Sequence, residues 1–520
     1  MSALDYPGPL DRPLARIGAG WARNVDLLRL GAALFIFPCV LFAFSLGPIA
    51  AAALLAGCAL GWLVIWRGGA ETDGAFLATP IDAPTLAGCA ALAIALCLLG
   101  GETHLFYANT DWLFRDAVLA DLVRQGFPTF YQYQGEDYLL RAPLGMYMTP
   151  ALVGRYIGLQ AAHVALLAQN AAIVALALYL FAQLARVNKV AFVVLFVAFS
   201  GLDIVGTLFN ALADYARSGE LVAPERVEGW NKYLHYSGHV RQIFWAPNHA
   251  LPGWWLAILT LLHARREINF ATLLVALAAL AFWSPMAAVG TSPFVVYVAL
   301  RSPLKELLTL QNLRAADACL LLLPMAIYVS WDAGSITHGW LLGEPEFVWS
   351  YVYFVALALP QAAIVAGAWN KVETGDRAIF VIAVAVLLLL PIYRFGPFND
   401  LVMRASIPAL AILAFAFARV ATLVPRDAKP IALGILVVVV ASAATPALQI
   451  KRAVAYPAYA ISDCNFLTSW SKLDPERWPT NYLARASNAP SWLVPMNDKR
   501  LALEDRICWP GNPLMGDKAR

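Results

Sequence analysis

The sequence predicts an all-α polytopic membrane protein, and three observations carry that prediction. Of the 520 residues, 60% are hydrophobic and only 14% are Asp, Glu, Lys or Arg. An average soluble protein carries roughly 25% charged residues. Mean hydropathy is +0.64, and several apolar runs approach the roughly 20 residues that a helix needs to cross the hydrocarbon core. Together these exclude a soluble globular protein, a coiled coil and a disordered chain. The formal charge of +3, from 37 basic and 34 acidic residues, is too near neutral to point to nucleic acid.

Taken in order, the elements begin with a polar segment, Met1 to Arg29, that mixes Arg12, Arg16, Arg23 and Arg29 with acids and prolines. It shows no small-residue cleavage site, so a cytoplasmic N-terminus is expected rather than a removed signal peptide. Candidate spans follow at 28–47, 49–66, 84–101, 161–185, 189–209, 250–263, 315–331, 350–368, 377–393, 404–424 and 430–446. That makes roughly eleven crossings of a core ~30 Å thick. Residues 270–300 are apolar but broken at Ser284-Pro285 and Ser292-Pro293, with Arg265 and Arg266 before them and Arg301 and Lys305 after. Basic flanks on both sides predict a re-entrant hairpin that enters and leaves on one side, next to a cavity. The short connections near Arg186, Arg265, Arg301, Lys371 and Arg426 are all basic, which makes the parity self-consistent. The outer loops are then 102–160, 210–249 and 332–349, on a transmembrane domain of residues 1–446. A small extracytoplasmic C-terminal domain, 447–520, follows. No internal repeat is evident.

Five of the seven cysteines lie in apolar segments and read as small hydrophobes. Cys464 and Cys508 fall in the outer tail, where an oxidising periplasm permits a disulfide, though spacing alone leaves the pairing open. No C-x-x-C pair and no Gly-rich phosphate loop occurs.

Polar residues gather in the outer loops. Asp111 heads an amphipathic stretch from Trp112 to Arg124 that ends at Gly126 and Pro128. It stands at the N-cap position, so it either satisfies free N–H groups or serves as a catalytic carboxylate at the membrane surface. Asp116, five residues on, lies off that face and makes no tight dyad with it. Glu136 and Asp137 read as solvated loop charges. In the second loop, His235 and His239 have the spacing of two ligands on one helical face, with His249 or an acid from another loop as a third. No Glu follows the first His, so polar interface histidines remain the alternative. Arg241, His249 and Asn248 stand among Trp230, Tyr233 and Trp245, a mixture that suits a sugar-binding wall or an interfacial belt. Near the end of the membrane region, Arg394, Asn399, Asp400 and Arg404 share one short outer turn. Arginines there need a partner, which is either a lipid phosphate or an acid, Asp400 or another of the loop acids.

With an Asp at the head of an amphipathic helix in the first large outer loop, many crossings and a soluble tail, the chain resembles the GT-C superfamily of glycosyltransferases. The resemblance covers most of the chain as architecture, and Asp111 with its surroundings as motif. It implies a bacterial inner-membrane enzyme, multi-pass, with its active site facing the periplasm. Such an enzyme moves a sugar from a polyprenyl-phosphate donor to a cell-envelope glycan or glycolipid. Asp111 is then the general base on the acceptor hydroxyl. Arg394 and Arg404 bind the donor phosphate, and Asp116, Arg241, His249 and Asn399 contact substrate. In the family the loop usually follows the first crossing; here it follows the third, and Thr110-Asp111 replaces an acidic pair. No cofactor is therefore required, although a divalent metal is compatible. The alternatives are a ligase or polymerase-type transferase with a lipid diphosphate donor, and a lipid-linked saccharide flippase. A flippase usually needs repeated halves and a polar path through the membrane.

Overall fold

A computed structural model describes residues 22–68, 75–220, 227–425, 428–509 and 512. Arg12, Arg16 and Arg426 lie outside them. The chain is predominantly helical. Its first elements are α1 (Asn24–Ala43), α2 (Pro48–Gly68), α3 (Ala83–Leu99), α4 (Thr110–Arg124), the hairpin β1 (Phe130–Tyr133) and β2 (Glu136–Leu140), α5 (Gly145–Ile157) and α6 (Leu159–Ala185). Then come α7 (Lys189–Val197), α8 (Asp203–Ser218), α9 (His239–Trp245), α10 (Pro247–Ala264), α11 (Phe270–Leu280), α12 (Pro285–Arg301) and the short α13 (Leu304–Leu307). The second half holds α14 (Leu310–Leu321), α15 (Leu323–Ser330), β3 (His338–Trp340), α16 (Phe347–Ala358), α17 (Pro360–Gly367), α18 (Thr374–Leu389) and β4 (Tyr393–Phe395). It ends with α19 (Ile407–Leu423), α20 (Lys429–Ser442), α21 (Ala444–Ala455), α22 (Phe466–Leu473) and β5 (Leu483–Arg485).

Among the described residues, five helical stretches are long and apolar enough to cross a membrane: α1, α2, α6, Thr374–Ile392 and Lys429–Ala455. Counting the bent pairs α14–α15 (42°) and α16–α17 (55°) as one span each gives seven. This is compatible with a multi-pass membrane protein but corrects the expectation of about eleven crossings. The reasons are local. The run 189–209 breaks after the 9 residues of α7, and α8 then turns Val205, Leu208, Phe209 and Leu212 outward. Helices α3, α11 and α19 are apolar but only 17, 11 and 17 residues long. Helix α10 is buried along nearly its whole length, as a core helix of the bundle is. In contrast, α20 turns Leu433, Leu436, Val437 and Val440 outward, as a lipid-facing helix does.

The expected hairpin takes the form of α11 and α12, which pack on each other with their tip at Trp283-Ser284. Caps at Asn269 and Ser284 start the two helices, each side-chain oxygen accepting a backbone N–H three residues on. Arg266 and Arg301 line one cleft with His263 and Gly375, so both basic flanks lie at the same end of the bundle. That basic end is locked by ion pairs. Arg265 donates to both carboxylate oxygens of Asp376 (3.0 and 2.6 Å), and Arg419 meets Glu373 at 2.9 Å.

The opposite end carries the loops. There the tail runs back onto the first large loop. Strand β5 adds to the β1–β2 hairpin as an antiparallel third strand, with Tyr138 opposite Arg485. Cys464 and Cys508 form a disulfide with Cα atoms 5.5 Å apart. The buried Asp121 of α4 accepts from Tyr131 Oη (2.7 Å) and from the Phe466 backbone N–H (2.8 Å). Burial pushes its carboxyl up to about 7, against those two hydrogen bonds. Tail, hairpin and α4 thus form one packed unit.

Candidate active site

Beneath that unit lies a cavity of about 340 Å³. The N-terminal ends of two helices open onto it, α10 through Asn248 and His249 and α12 through Pro285 and Met286. Helix N-termini carry partial positive charge and favour anions. His249 Nδ1 lies 2.7 Å from Ser284 Oγ, and its Nε2 lies 3.1 Å from Asn248 Nδ2. This chain of contacts fixes the imidazole against the hairpin tip. Met286, Val289, Val329, Ile336 and Leu401 give the cavity apolar walls. Val289 of α12 and Ser330 at the end of α15 are its exposed lining residues.

Two arginines reach this space. Arg404 sits on a π-helical turn, Leu401–Ala405, and pairs with Asp400 at 3.2 Å. That turn is pressed onto α12 at Gly290, where a Cβ would overlap the Ala405 carbonyl. Only glycine allows the approach that delivers Arg404. Burial pushes the Asp400 carboxyl up, Arg404 opposes the shift, and Asp111 adds to it. Arg141 is 3% exposed and forms no ion pair among the described residues. It donates instead to the carbonyls of Thr480 and Val329, and its Nε has no partner.

Asp111 stands beside this space. Here the structure corrects the sequence reading: α4 starts at Thr110, and its N-cap is Asn109, whose Oδ1 accepts from the Asp111 N–H at 3.0 Å. The carboxylate of Asp111 is thus free of capping. It pairs with Arg115 one turn on (3.5 Å) and keeps 41% of its side chain exposed. Asp111 is within electrostatic range of Asp400, and of Tyr482, which lines the cavity. An anchored, solvent-reachable carboxylate next to a cationic, apolar-walled cavity can take a proton from a hydroxyl while an anion is held nearby.

His249 and Arg404 join Asp111 in this arrangement, and four other residues expected to share it do not. Tyr393 and Phe395 of β4 line the cavity, and Arg394 between them does not, as strand alternation requires. Asn399 turns its amide to the Tyr233 carbonyl (3.1 Å). Arg241 is held by the buried Glu228 at 2.7 Å. Asp116 is fully buried, 2.7 Å from His104 Nε2 and 4.0 Å from His163 Nδ1.

The idea of two histidine ligands on one helix fails because α9 begins only at His239, leaving His235 in the preceding loop. His235 meets Glu228, and His239 meets the Phe196 carbonyl. Among the described residues no group of three or more His, Cys, Asp or Glu is placed to hold a metal. Asp137 meets Arg500 of the tail at 2.8 Å. The sequence reading overlooked Arg141, Tyr147 and Tyr482. A charge between apolar runs was a usable signal for Arg141. Tyr482 is brought in by the tail and carries no local signal.

The fold and the cavity define a class: a helical chain compatible with multi-pass membrane insertion, with a cationic cavity under its loops. No family model matches the chain, and neither a curated protein nor a solved structure is significantly similar to it.

Proposed function

We propose that the protein is a GT-C-like glycosyltransferase of the bacterial inner membrane. On this reading it moves a sugar from a polyprenyl phosphate to a periplasmic glycan or glycolipid acceptor. The observation that carries the reading is the pairing of opposite functions in one place. Asp111, released from capping by Asn109, stands beside a cavity that holds Arg404 and Arg141 and receives two helix N-termini. Asp111 takes the proton of the acceptor hydroxyl, and the oxygen attacks the anomeric carbon. The bond from that carbon to the phosphate oxygen breaks, and the lipid phosphate leaves with its electron pair. Arg404 and Arg141 offset the charge that develops on it. A sugar linked to lipid phosphate brings its own leaving group, so no nucleotide site is needed. The apolar walls and the exposed Val289 at their edge suit a prenyl chain arriving from lipid. The short apolar helices α3, α11 and α19 complete the bundle in this reading.

The test is sugar transfer by purified protein from a panel of polyprenyl monophosphate and diphosphate sugars, run with wild type and Asp111→Asn. Transfer from a monophosphate donor that disappears in a folded Asp111→Asn variant supports the reading and its base. Transfer only from diphosphates moves the assignment to the ligase or polymerase type. Lipid-linked saccharide crossing liposomes without transfer moves it to a flippase.

A further inference from the structure

A second concavity, a groove of about 630 Å³, lies on the outside of the tail unit. Its wall is aromatic. Trp478 stacks on Tyr133 with ring centroids 5.0 Å apart and planes at 22°, and Tyr138 packs on Trp478 at 4.5 Å. All three rings are only half-buried. Around them stand planar polar groups, Gln134, Glu476 and Arg485, which are exposed at the rim. Ring faces beside planar donors and acceptors of both signs match a sugar, whose C–H faces are apolar and whose edges carry hydroxyls. They match a lipid poorly, because the rim is charged. They also match a bare anion poorly, because acids and bases balance.

The groove and the cavity share one wall. It is built of two segments that show opposite faces to the two spaces. Asp332 and Ser335 line the groove while Ala333 and Ile336 line the cavity; Thr480 lines the groove while Asn481 and Tyr482 line the cavity. Arg141 holds the second segment through the Thr480 carbonyl. On the far side, Trp470 of the groove packs on Phe114 at 4.8 Å, one turn along α4 from Asp111.

We propose that this groove binds an oligosaccharide, as the site for the non-reacting sugar units of an extended glycan acceptor. Its role as an acceptor site rests on the transferase reading; its binding of saccharide does not. A glycan lying along Trp478 is held on the other face of the wall that closes the reaction cavity, one helical turn from the base. Acceptors long enough to fill the groove are then preferred over single sugars.

The experiment uses full-length protein in nanodiscs, titrated with maltohexaose, cellohexaose, mannohexaose and hexa-N-acetylglucosamine. Binding is followed by tryptophan fluorescence and saturation-transfer NMR. At least one hexasaccharide is expected to bind, more tightly than its disaccharide. Trp478→Ala should weaken it by about tenfold or more, as loss of an aromatic anchor does. Arg485→Ala, a substitution at an exposed rim position that spares the aromatic packing, should weaken it as well. Failure of all four hexasaccharides to bind overturns the proposal, and so does binding that neither substitution changes. Binding that persists in a protein inactive with every donor keeps the saccharide site and removes only the transferase reading.

Discussion

At the basic end of the bundle Arg265 is fully occupied. Asp376 takes two of its N–H groups, the Leu184 carbonyl takes another, and Glu373 lies 3.3 Å away. At the loop end, Arg404 has Asp400 as its one carboxylate partner among the described residues, and Arg141 has only carbonyls. Arg265 keeps 8% of its side chain exposed, Arg404 keeps 24% and Arg141 is 3% exposed, so a desolvation cost falls on both sets. The difference is in what remains to be bound. A saturated guanidinium cross-links helices, whereas one with spare donors beside a cavity is poised for an anion. Charge and burial alone would not separate the two sets; the count of partners does.

The comparison breaks most sharply at the base. Asp111→Asn keeps the size of the side chain and, because Asn109 is the cap, leaves the helix start intact. The expected loss is about 10²–10⁴ in transfer rate with an unchanged melting temperature, as removal of a general base predicts. A rate within a factor of about two of wild type would return Asp111 to a surface role. The next effect is on stability and falls at the other end. Asp376→Ala removes the bidentate partner of Arg265, leaving it Glu373 and the Leu184 carbonyl, and should cost about 1.5–3 kcal/mol, while transfer per folded molecule stays at the wild-type level. Thermal unfolding in detergent, paired with an activity assay on the folded fraction, separates the two. Third, on the proposed transferase reading Arg404→Ala removes charge stabilisation from a departing phosphate and should lower transfer by about 10²–10³. It also strands Asp400, so the double variant with Asp400→Asn is the control. Stability should return in the double variant, and transfer should not. If transfer recovers with stability, Arg404 is a structural arginine like Arg265.

The parts of this arrangement that were readable in the sequence are those set by local pattern. Basic flanks around residues 270–300 marked a hairpin because charge at a membrane surface is strongly one-sided. The apolar runs marked helices, but not where they break. In the run 189–209, Ser200-Gly201 and Asp203 were signals of a break that the sequence reading passed over. Asp111 was legible as the head of a helix, and its neighbour Asn109 as a cap was missed by two residues. What failed was whatever depends on partners far along the chain. Arg394 and Arg404 looked like a pair because they share a short turn. Pairing of Tyr393–Phe395 with His338–Trp340 makes that turn a strand, and alternation then sends Arg394 to the other side. Arg141 enters through the tail, more than three hundred residues on, which supplies its Thr480 partner. Arg241 was read among aromatic rings without Glu228, whose carboxylate occupies it. The disulfide lay between these cases. Its cysteines were visible, and only the fold could show that they meet.

A smaller effect sharpens the same contrast through pH. Glu102, just beyond α3, is fully buried, and its Oε1 accepts from Asn170 Nδ2 at 3.1 Å. Burial raises its carboxyl from 4.5 to about 8, against the Asn170 and Cys97 hydrogen bonds and the nearby charge of Arg115. In the unfolded chain the group loses its proton near 4.5, while the folded chain keeps it to about 8. Between those values the folded state binds the extra proton, so each rise in pH withdraws stability, and the loss is complete above about 8. Glu102→Gln carries no titrating group and preserves the acceptor for Asn170. Its melting temperature should therefore fall less than that of wild type across this window, and the gap should be widest at its alkaline end. Asp121, also raised, remains in the variant and leaves a residual slope that ends near its own value of about 7. Parallel melting curves for wild type and Glu102→Gln would mean that Glu102 is ionised in the fold, with Arg115 as its counter-charge. Arg115 would then be drawn away from Asp111, leaving the base less neutralised than its 3.5 Å contact implies.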